Sequence, residues 1–138
     1  MNVRDVYKKF SKSVCKIEPD MPIEKVIRIF LESKRRNIYI VNKSGNLIGV
    51  ITANEILTSV RPDISPNKVL FFISRKDIKT AKDVMIEPQI VKLDDNLEDA
   101  MRVAKVFKIQ DIPVCEKGKL VGELDAFELV YGLVKSEK

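Results

Sequence analysis

An internal repeat constrains the fold of this chain more than any other feature of its sequence. Residues 49–57 (GVITANEIL) return as residues 122–130 (GELDAFELV), and the match extends upstream through residues 23–41 and 97–115 at a constant separation of 74 positions. From Gly45 and Gly118 onward the separation is 73 positions, and this difference falls in a turn, where a length change costs least. Residues 3–7 (VRDVY) resemble residues 81–85 (AKDVM), so a lead-in segment precedes each copy. The sequence therefore predicts a duplication.

The repeat also sets the predicted domain boundaries. Residues 1–60 form the first repeat with a short N-terminal docking helix over residues 2–10, and residues 80–138 form the second repeat. Residues 61–79 are predicted to be a linker rich in turn formers, with a connecting helix that starts at Ser65-Pro66 and runs to about Lys76. At 138 residues the chain can bury a core, and we expect one module made of two halves.

The composition excludes several classes of chemistry. The chain has no histidine and two cysteines, so a zinc site or a Ser/His or Cys/His catalytic pair cannot be assembled from it. No segment approaches the roughly 18 apolar residues of a membrane span, and the charged first residues lack the apolar stretch of a signal peptide. We therefore expect a cytoplasmic protein with no membrane partner, no metal and no enzymatic activity. The net charge of +5 is spread over the whole chain, which does not favour nucleic acid as a partner.

Apolar periodicity predicts the same elements in both copies. Short extended runs at residues 14–17 and 90–93 precede amphipathic helices, and residues 38–41 and 47–52 flank a hairpin turn at Gly45. Pro22 suits the first turn of the first helix, and Asn96 is a suitable N-cap for the second. Closing helices are expected to begin near Ala53 or Asn54 in the first copy and near Ala126 in the second. The apolar stripes of the amphipathic helices are Ile23, Val26, Ile27, Phe30 and Leu31, and Leu97, Ala100, Met101 and Ala104.

This order of elements resembles a known family. Lead-ins such as KDVM, β-α-β-β-α units of this length and a closing motif of the form G-h-h-T-x-x-D-h-h, where h is apolar, are similar to those of CBS (cystathionine β-synthase) domains, whose tandem pairs form Bateman modules. The resemblance covers essentially the whole chain. It implies an α+β fold in which two pseudo-symmetric β-α-β-β-α repeats pack sheet to sheet into one module. It also implies two clefts that bind adenosine compounds such as AMP, ADP, ATP or S-adenosylmethionine, with a regulatory role.

The resemblance further implies candidate binding residues in each copy. The closing motif of the family places a hydroxyl near phosphate or ribose and an Asp, three residues later, on the ribose hydroxyls. The corresponding residues are Thr52 and Glu55 in the first copy and Asp125 and Glu128 in the second, so both copies depart from the pattern. The base pockets implied by the family comprise Cys15, Lys16, Ile17, Arg36, Asn37 and Ile38 in the first copy, and Ile90, Val91, Gln110, Asp111 and Ile112 in the second.

Two interpretations of the closing motifs stay open at this point. A carboxylate at Asp125 would repel a phosphate, so a phosphorylated adenosine should prefer the cleft closed by Thr52 and Glu55. Alternatively, Thr52 and Asp125 are helix N-caps, and Glu55 and Glu128 are first-turn residues that the helix dipole favours.

Three functions follow from these observations. The first is a non-catalytic sensor of an adenosine-type ligand that signals to an effector protein, because the chain holds no second domain to regulate. The second is an interaction scaffold whose clefts have lost ligand binding, and the third is nucleic-acid binding through the basic surface. We also expect a homodimer, because apolar residues surround the closing helices. These residues are Ile56, Leu57 and Val60, and Phe127, Leu129, Val130, Tyr131, Leu133 and Val134.

Overall fold

The structure, a computed structural model, describes residues 1–9, 13–59 and 78–136. Its first half contains α1 (Val3–Val6), β1 (Cys15–Ile17), α2 (Ile23–Ser33), β2 (Asn37–Val41), β3 (Leu47–Thr52) and α3 (Ala53–Ser59). Its second half contains a 3-10 turn (Ala81–Asp83), β4 (Val91–Lys92), α4 (Leu97–Phe107), β5 (Asp111–Glu116), β6 (Lys119–Asp125) and α5 (Ala126–Ser136). The predicted order of strand, helix, strand, strand, helix is confirmed in both repeats. The predicted connecting helix at residues 65–76 and the adjoining linker lie outside the described residues, apart from residues 78 and 79.

Two three-stranded sheets form, in the orders β1-β2-β3 and β4-β5-β6. In the first sheet β1 runs parallel to β2, with Cys15 opposite Ile38 and Ile17 opposite Ile40. In the second sheet β4 runs parallel to β5, with Val91 opposite Val114. The predicted α+β class with two equivalent repeats is confirmed.

Helices α2 and α4 cover one face of their sheets with the predicted apolar stripes. In α2, Ile23, Val26 and Ile27 are buried, but Leu31, which the periodicity assigned to the stripe, is 56% exposed. Its position explains the difference. At about 100° per residue, Leu31 lies roughly 80° around the helix from Ile23, at the edge of the apolar face.

The ends of α2 and α4 show which sequence signals predicted the helix boundaries correctly. Asn96 caps α4 as predicted, because its side chain accepts a hydrogen bond from the backbone N–H of Asp99 at 2.8 Å. Pro22 is the N-cap of α2 and therefore lies just outside its first turn. Both helices end in a lysine with left-handed backbone conformation, Lys34 (φ 54°) and Lys108 (φ 55°), at equivalent positions of the repeat.

The two hairpin turns account for the change in repeat spacing. Gly45 has φ 84°, in the left-handed region that glycine adopts without strain. In the second hairpin Glu116 pairs with Lys119, so the turn consists of Lys117 and Gly118, both with positive φ. Positive φ at both central residues is the geometry of a type I′ turn, which suits a two-residue hairpin loop.

The chain divides into two compact units, and each contains the lead-in segment of the other repeat. The first-repeat unit comprises residues 15–44, 48–59 and 78–87 of the described chain, and the second-repeat unit comprises residues 1–9, 13–14, 45–47 and 88–136. The sequence suggested that each lead-in serves the copy that follows it. Instead, the lead-in of the first repeat belongs to the second-repeat unit, and the lead-in of the second repeat belongs to the first-repeat unit. We call this arrangement an exchange of lead-ins. The repeat boundaries at residues 1–60 and 80–138 stay a prediction.

Helix α1 is the lead-in of the second-repeat unit. Val3 is fully buried and Val6 is 1% exposed in a core that includes Leu97. The backbone N–H of Val3 donates to the carbonyl of Asp95 at 2.9 Å, which ties α1 to the loop that precedes α4. The ring of Tyr7 covers Gly122 so closely that a Cβ atom there would lie 2.8 Å from Tyr7 Cε2.

Residues 81–85 make the equivalent contacts in the first-repeat unit. Ala81 N–H donates to the carbonyl of Met21 at 2.9 Å, as Val3 does to Asp95. The side chain of Met85 covers Gly49, where a Cβ atom would lie 2.8 Å from Met85 Cγ. The lead-in forms a 3-10 turn here, not an α-helix. Glycine therefore occupies both positions because the exchanged lead-in packs directly on the strand backbone.

Candidate functional site

The closing motif of the first repeat forms a helix cap. Thr52 ends β3, and both its backbone N–H and its hydroxyl donate to Glu55 Oε1 at 2.6 Å. The Thr52 Oγ1 in turn accepts from the backbone N–H of Asn54 at 3.3 Å. Glu55 is 8% exposed. The hydroxyl and the carboxylate that the family resemblance assigns to a ligand thus contact each other and the start of α3.

The closing motif of the second repeat forms a reciprocal capping box. The Asp125 side chain accepts from the N–H of Glu128 at 2.8 Å, and the Glu128 side chain accepts from the N–H of Asp125 at 3.0 Å. This arrangement satisfies two backbone donors that would otherwise lack partners at the helix start. Glu128 is fully buried. The two motifs are therefore built alike, although Thr52 in one copy is replaced by Asp125 in the other.

This geometry establishes the capping interpretation of all four residues. A carboxylate has about four acceptor sites, so a cap does not by itself use its full capacity. Burial is the stronger restriction, because a ribose can contact Glu128 only if the surrounding residues open. Ligand contact by Thr52, Glu55, Asp125 and Glu128 stays a prediction.

The predicted base pocket of the first repeat is brought together by the parallel ladder of β1 and β2. Cys15 lies opposite Ile38, and the side chains of Ile17 and Ile38 belong to the core. Ile38 is fully buried, whereas Ile17 is 5% exposed and lines a groove. The Asn37 amide donates to the Tyr39 hydroxyl at 2.9 Å, and Lys16 is exposed beside Ile17 in an open groove of about 400 Å³.

Cys15 is half-buried, and its burial raises the pKa of the thiol, with a smaller opposing effect from the Ser33 hydroxyl. Burial also raises the pKa of Cys115. Both thiols are consequently kept in the protonated form. This gives no support to a nucleophilic role for either cysteine.

In the second repeat, the predicted residues at the start of β5 lie beside the closing motif at the end of β6. Asp111 lies opposite Asp125, and Ile112 lies opposite Leu124. Gln110, Ile112 and Asp125 line one apolar groove of about 210 Å³ between α4, β6 and α5. Asp111 is 9% exposed, whereas Gln110 is exposed. The structure thus places three of the predicted residues around one cavity.

The strand register identifies a residue that the sequence comparison missed. Ile17 pairs with Ile40, and Val91 pairs with Val114, so the separation of 74 positions holds through both ladders. Cys15 therefore corresponds to Gln89 and not to Ile90, and Gln89 belongs in the candidate pocket. The constant spacing of the repeat carried this signal, but the short, irregular run around Ile90 hid it.

Other classes of site are not found in the described part of the chain. Among residues 1–9, 13–59 and 78–136, no group of three or more acidic or cysteine side chains is arranged to hold a metal ion. In the same residues, every helix is too short or too polar to cross a bilayer.

Comparison with known families decides the identity of the fold. The family model for the CBS domain matches residues 3–62 and again residues 81–135, which are the two repeats. The chain belongs to the CBS domain family. The tandem arrangement inferred from the sequence is a CBS domain pair.

Solved structures of CBS domain proteins resemble this chain over nearly its whole length. A CBS domain-containing protein from Thermotoga maritima is 29% identical, with a TM-score of 0.76, and the alignment covers 98% of this chain and 95% of that one. CBSX2 in complex with AMP shares the fold at 22% identity and a TM-score of 0.75, covering 99% and 98%. The CBS domain pair of MJ0100, in complex with 5'-methylthioadenosine and S-adenosyl-L-methionine, shares it at 19% identity and a TM-score of 0.70, covering 100% and 98%.

Curated relatives are longer than this chain. It covers 59% of the length of the chloroplast CBS domain-containing protein CBSX2 from Arabidopsis thaliana, to which it is 25% identical. It covers 21% of an inosine-5'-monophosphate dehydrogenase from Aquifex aeolicus, at 24% identity. The chain thus spans about three-fifths and one-fifth of the lengths of these two relatives.

Proposed function

We propose that this CBS pair is a non-catalytic regulatory module that binds an adenosine-containing ligand and signals its presence to an effector protein. The observation that carries the proposal is the pair of closing motifs, because each lies at the end of a strand beside the start of a helix. The fold that contains them is shared with CBSX2 in complex with AMP and with the MJ0100 pair in complex with S-adenosyl-L-methionine. The candidate ligands are AMP, ADP, ATP and S-adenosylmethionine.

Ligand binding should raise the melting temperature of the protein. A ligand present at 100 times its dissociation constant adds about 2.7 kcal/mol to the free energy of unfolding, which corresponds to a rise of roughly 5–15 °C for a domain of this size. We expect at least one of the four adenosine compounds to produce such a rise in a thermal denaturation series, whereas guanosine and cytidine nucleotides do not. Unchanged melting temperatures across the adenosine series would remove the proposal.

A second candidate is a CBS interaction scaffold that binds no nucleotide. The burial of Glu128, which is 0% exposed, and of Glu55, which is 8% exposed, favours it, because a ligand must displace the surrounding residues to reach either carboxylate. The same denaturation series separates the two candidates. Mass spectrometry of the denatured protein would also reveal an adenosine compound that is retained during purification.

The two closing motifs should differ in their affinity for phosphate. A carboxylate without a counter-ion about 4 Å from a phosphate costs roughly 1 kcal/mol in water and about 4 kcal/mol at an effective dielectric constant near 20. We therefore expect a phosphorylated adenosine to bind beside Thr52 in preference to Asp125. Asp125→Thr should strengthen binding of AMP at the second motif, and Thr52→Asp should weaken it at the first, both measured by isothermal titration calorimetry.

The Asp125→Thr exchange is a clean test because threonine is also a good N-cap, so the stability of α5 should change by only a few tenths of a kcal/mol. Titrations with and without Mg²⁺ are needed, since a bound cation can bridge the carboxylate and the phosphate and reverse the preference. If Asp125→Thr leaves the affinity for AMP unchanged under both conditions, Asp125 acts only as a helix cap. The predicted preference for the motif at Thr52 would then be wrong.

We also propose that the module is a homodimer that pairs through α5 and α3. Phe127, Val130 and Val134 are 75%, 60% and 57% exposed along one side of α5, and Leu57 is 71% exposed on α3. We expect light scattering to give twice the mass of one chain. The variant Phe127→Glu/Val130→Glu should give the mass of one chain.

Helix α4 offers a matched control for the dimer. Val106 and Phe107 are 70% and 49% exposed, so Val106→Glu/Phe107→Glu replaces the same two residue types and adds the same charges on a different helix. This variant should remain dimeric. A wild-type protein that is monomeric at micromolar concentration would refute the dimer, and dissociation by the α4 variant would move the interface to α4.

A further inference from the structure

A cluster of lysines and tyrosines lies where α1 and α5 of the second-repeat unit meet. Lys9 Nζ lies 4.9 Å and Lys135 Nζ 5.8 Å from the centre of the Tyr131 ring, and Lys8 Nζ lies 5.3 Å from the centre of the Tyr7 ring. We call these five residues the basic-aromatic patch. All three lysines are exposed, and the two tyrosines are partly buried.

The charges of the three lysines are not neutralised within the described part of the chain. Arg4 pairs with Asp94 at 3.0 Å, but no carboxylate among the described residues lies within 4 Å of the ammonium groups of Lys8, Lys9 or Lys135. Contact with a tyrosine ring stabilises an ammonium group without removing its charge. The patch therefore presents three exposed positive charges that are open to an anionic partner.

The tyrosine rings serve as supports and are not available as stacking surfaces. Tyr7 rests against Gly122, and Lys8 lies over its ring. The ring of Tyr131 is contacted by two lysines. Proteins that bind single-stranded nucleic acid use open aromatic faces for the bases and long basic grooves for the backbone, and neither is present in this patch. Its chemistry fits closely spaced carboxylates better than a nucleic acid.

We propose that the basic-aromatic patch binds an acidic segment of a partner protein. The identification of that partner as the effector rests on the proposed regulatory function. The binding of an acidic segment does not depend on it. Lys8 and Lys9 follow α1, whereas Tyr131 and Lys135 belong to α5, so the spacing of the charges depends on how α1 is seated against α5. An acidic segment bound across both elements would respond to any movement between them.

The test measures binding of a fluorescent peptide of alternating glutamate and glycine by fluorescence anisotropy, at low salt and without nucleotide. Lys8→Glu/Lys9→Glu/Lys135→Glu should weaken binding by about ten-fold or more, because it reverses three charges that contact the peptide. The matched control, Lys25→Glu/Lys43→Glu/Lys79→Glu, makes the same change in net charge at three exposed lysines outside the patch. It should weaken binding by less than about three-fold.

A second pair of variants tests the role of the rings. Tyr131→Phe retains the ring that contacts Lys9 and Lys135 and should bind the peptide as the wild type does. Tyr131→Leu removes that support and should weaken binding by about three-fold.

Each outcome supports or refutes the proposal that the basic-aromatic patch binds an acidic segment. Equal loss in both triple variants, or no binding of the peptide, would overturn the proposal. Tighter binding of a single-stranded oligonucleotide than of the peptide would assign the patch to nucleic acid instead. Because the patch variant keeps both closing motifs, it should retain the melting response to adenosine compounds, so failure here is distinguishable from failure of the proposed function.

Discussion

Removing residues 1–9 should lower the free energy of unfolding by about 3–6 kcal/mol. The deletion exposes the cavity that Val3 and Val6 fill, and full burial of a valine side chain contributes about 1.5–3 kcal/mol. Since a domain is typically stable by about 5–15 kcal/mol, the loss is a large fraction of the total. Chemical denaturation monitored by circular dichroism measures it. Arg4→Ala, which removes only the exposed pair with Asp94, should cost less than about 1 kcal/mol.

Double-mutant cycles reveal which core α1 serves. Val6 and Leu97 belong to one core cluster, whereas Ile23, the counterpart of Leu97 in the first repeat, belongs to the other. We expect Val6→Ala to couple to Leu97→Ala by about 0.5–3 kcal/mol and to be additive with Ile23→Ala within about 0.5 kcal/mol. The opposite pattern would mean that α1 packs on its own repeat and that the lead-ins are not exchanged.

Gly132→Val should destabilise the protein by about 2–3 kcal/mol, although valine is a better helix former than glycine. A Cβ atom at residue 132 would lie 3.1 Å from Val6 Cγ1 and would overlap Leu97 Cδ1. Overpacking of a core commonly costs about 1–3 kcal/mol, and a β-branched side chain adds two methyl groups to the overlap. The gain in helix propensity, below about 1 kcal/mol, offsets only part of this cost. Thermal and urea unfolding both report the change.

Shortening the side chain at residue 97 should restore most of the stability that Gly132→Val removes. In a Leu97→Ala background, Gly132→Val fills the vacated volume and should cost less than about 1 kcal/mol. An equal cost in both backgrounds would show that the penalty arises in the helix backbone and not in the contact between α5 and α4.

Much of the fold could be predicted because its signals are local and occur twice. The apolar spacing of Ile23, Val26 and Ile27 predicts both the helix and its buried face, and the side chain of Asn96 caps α4 as expected. Gly45 marks a turn that requires positive φ. Each of these features depends only on residues that are close together in the sequence. They can therefore be predicted without knowledge of the tertiary structure.

The candidate site was predictable only in part. The closing motifs lie where a strand ends and a helix begins, as the sequence indicated, but the burial of Glu128 and the bonds from Thr52 to Glu55 depend on what packs over each helix start. The register that aligns Gln89 with Cys15 depends on strand pairing across the sheet. A motif specifies which residues are adjacent along the chain, whereas accessibility to a ligand is a property of the packed core.

The sequence by itself determined the duplication, the order of elements and the family, because these follow from periodicity and spacing. It could not determine which core each lead-in enters. The spacing of Val3 and Val6 shows that α1 must bury one face, but the loops at Met21 and Asp95 offer equivalent backbone carbonyls in the two repeats. Local sequence cannot distinguish two equivalent acceptors. Only the tertiary structure, through the side chains that pack around Gly49 and Gly122, decided that the lead-ins are exchanged.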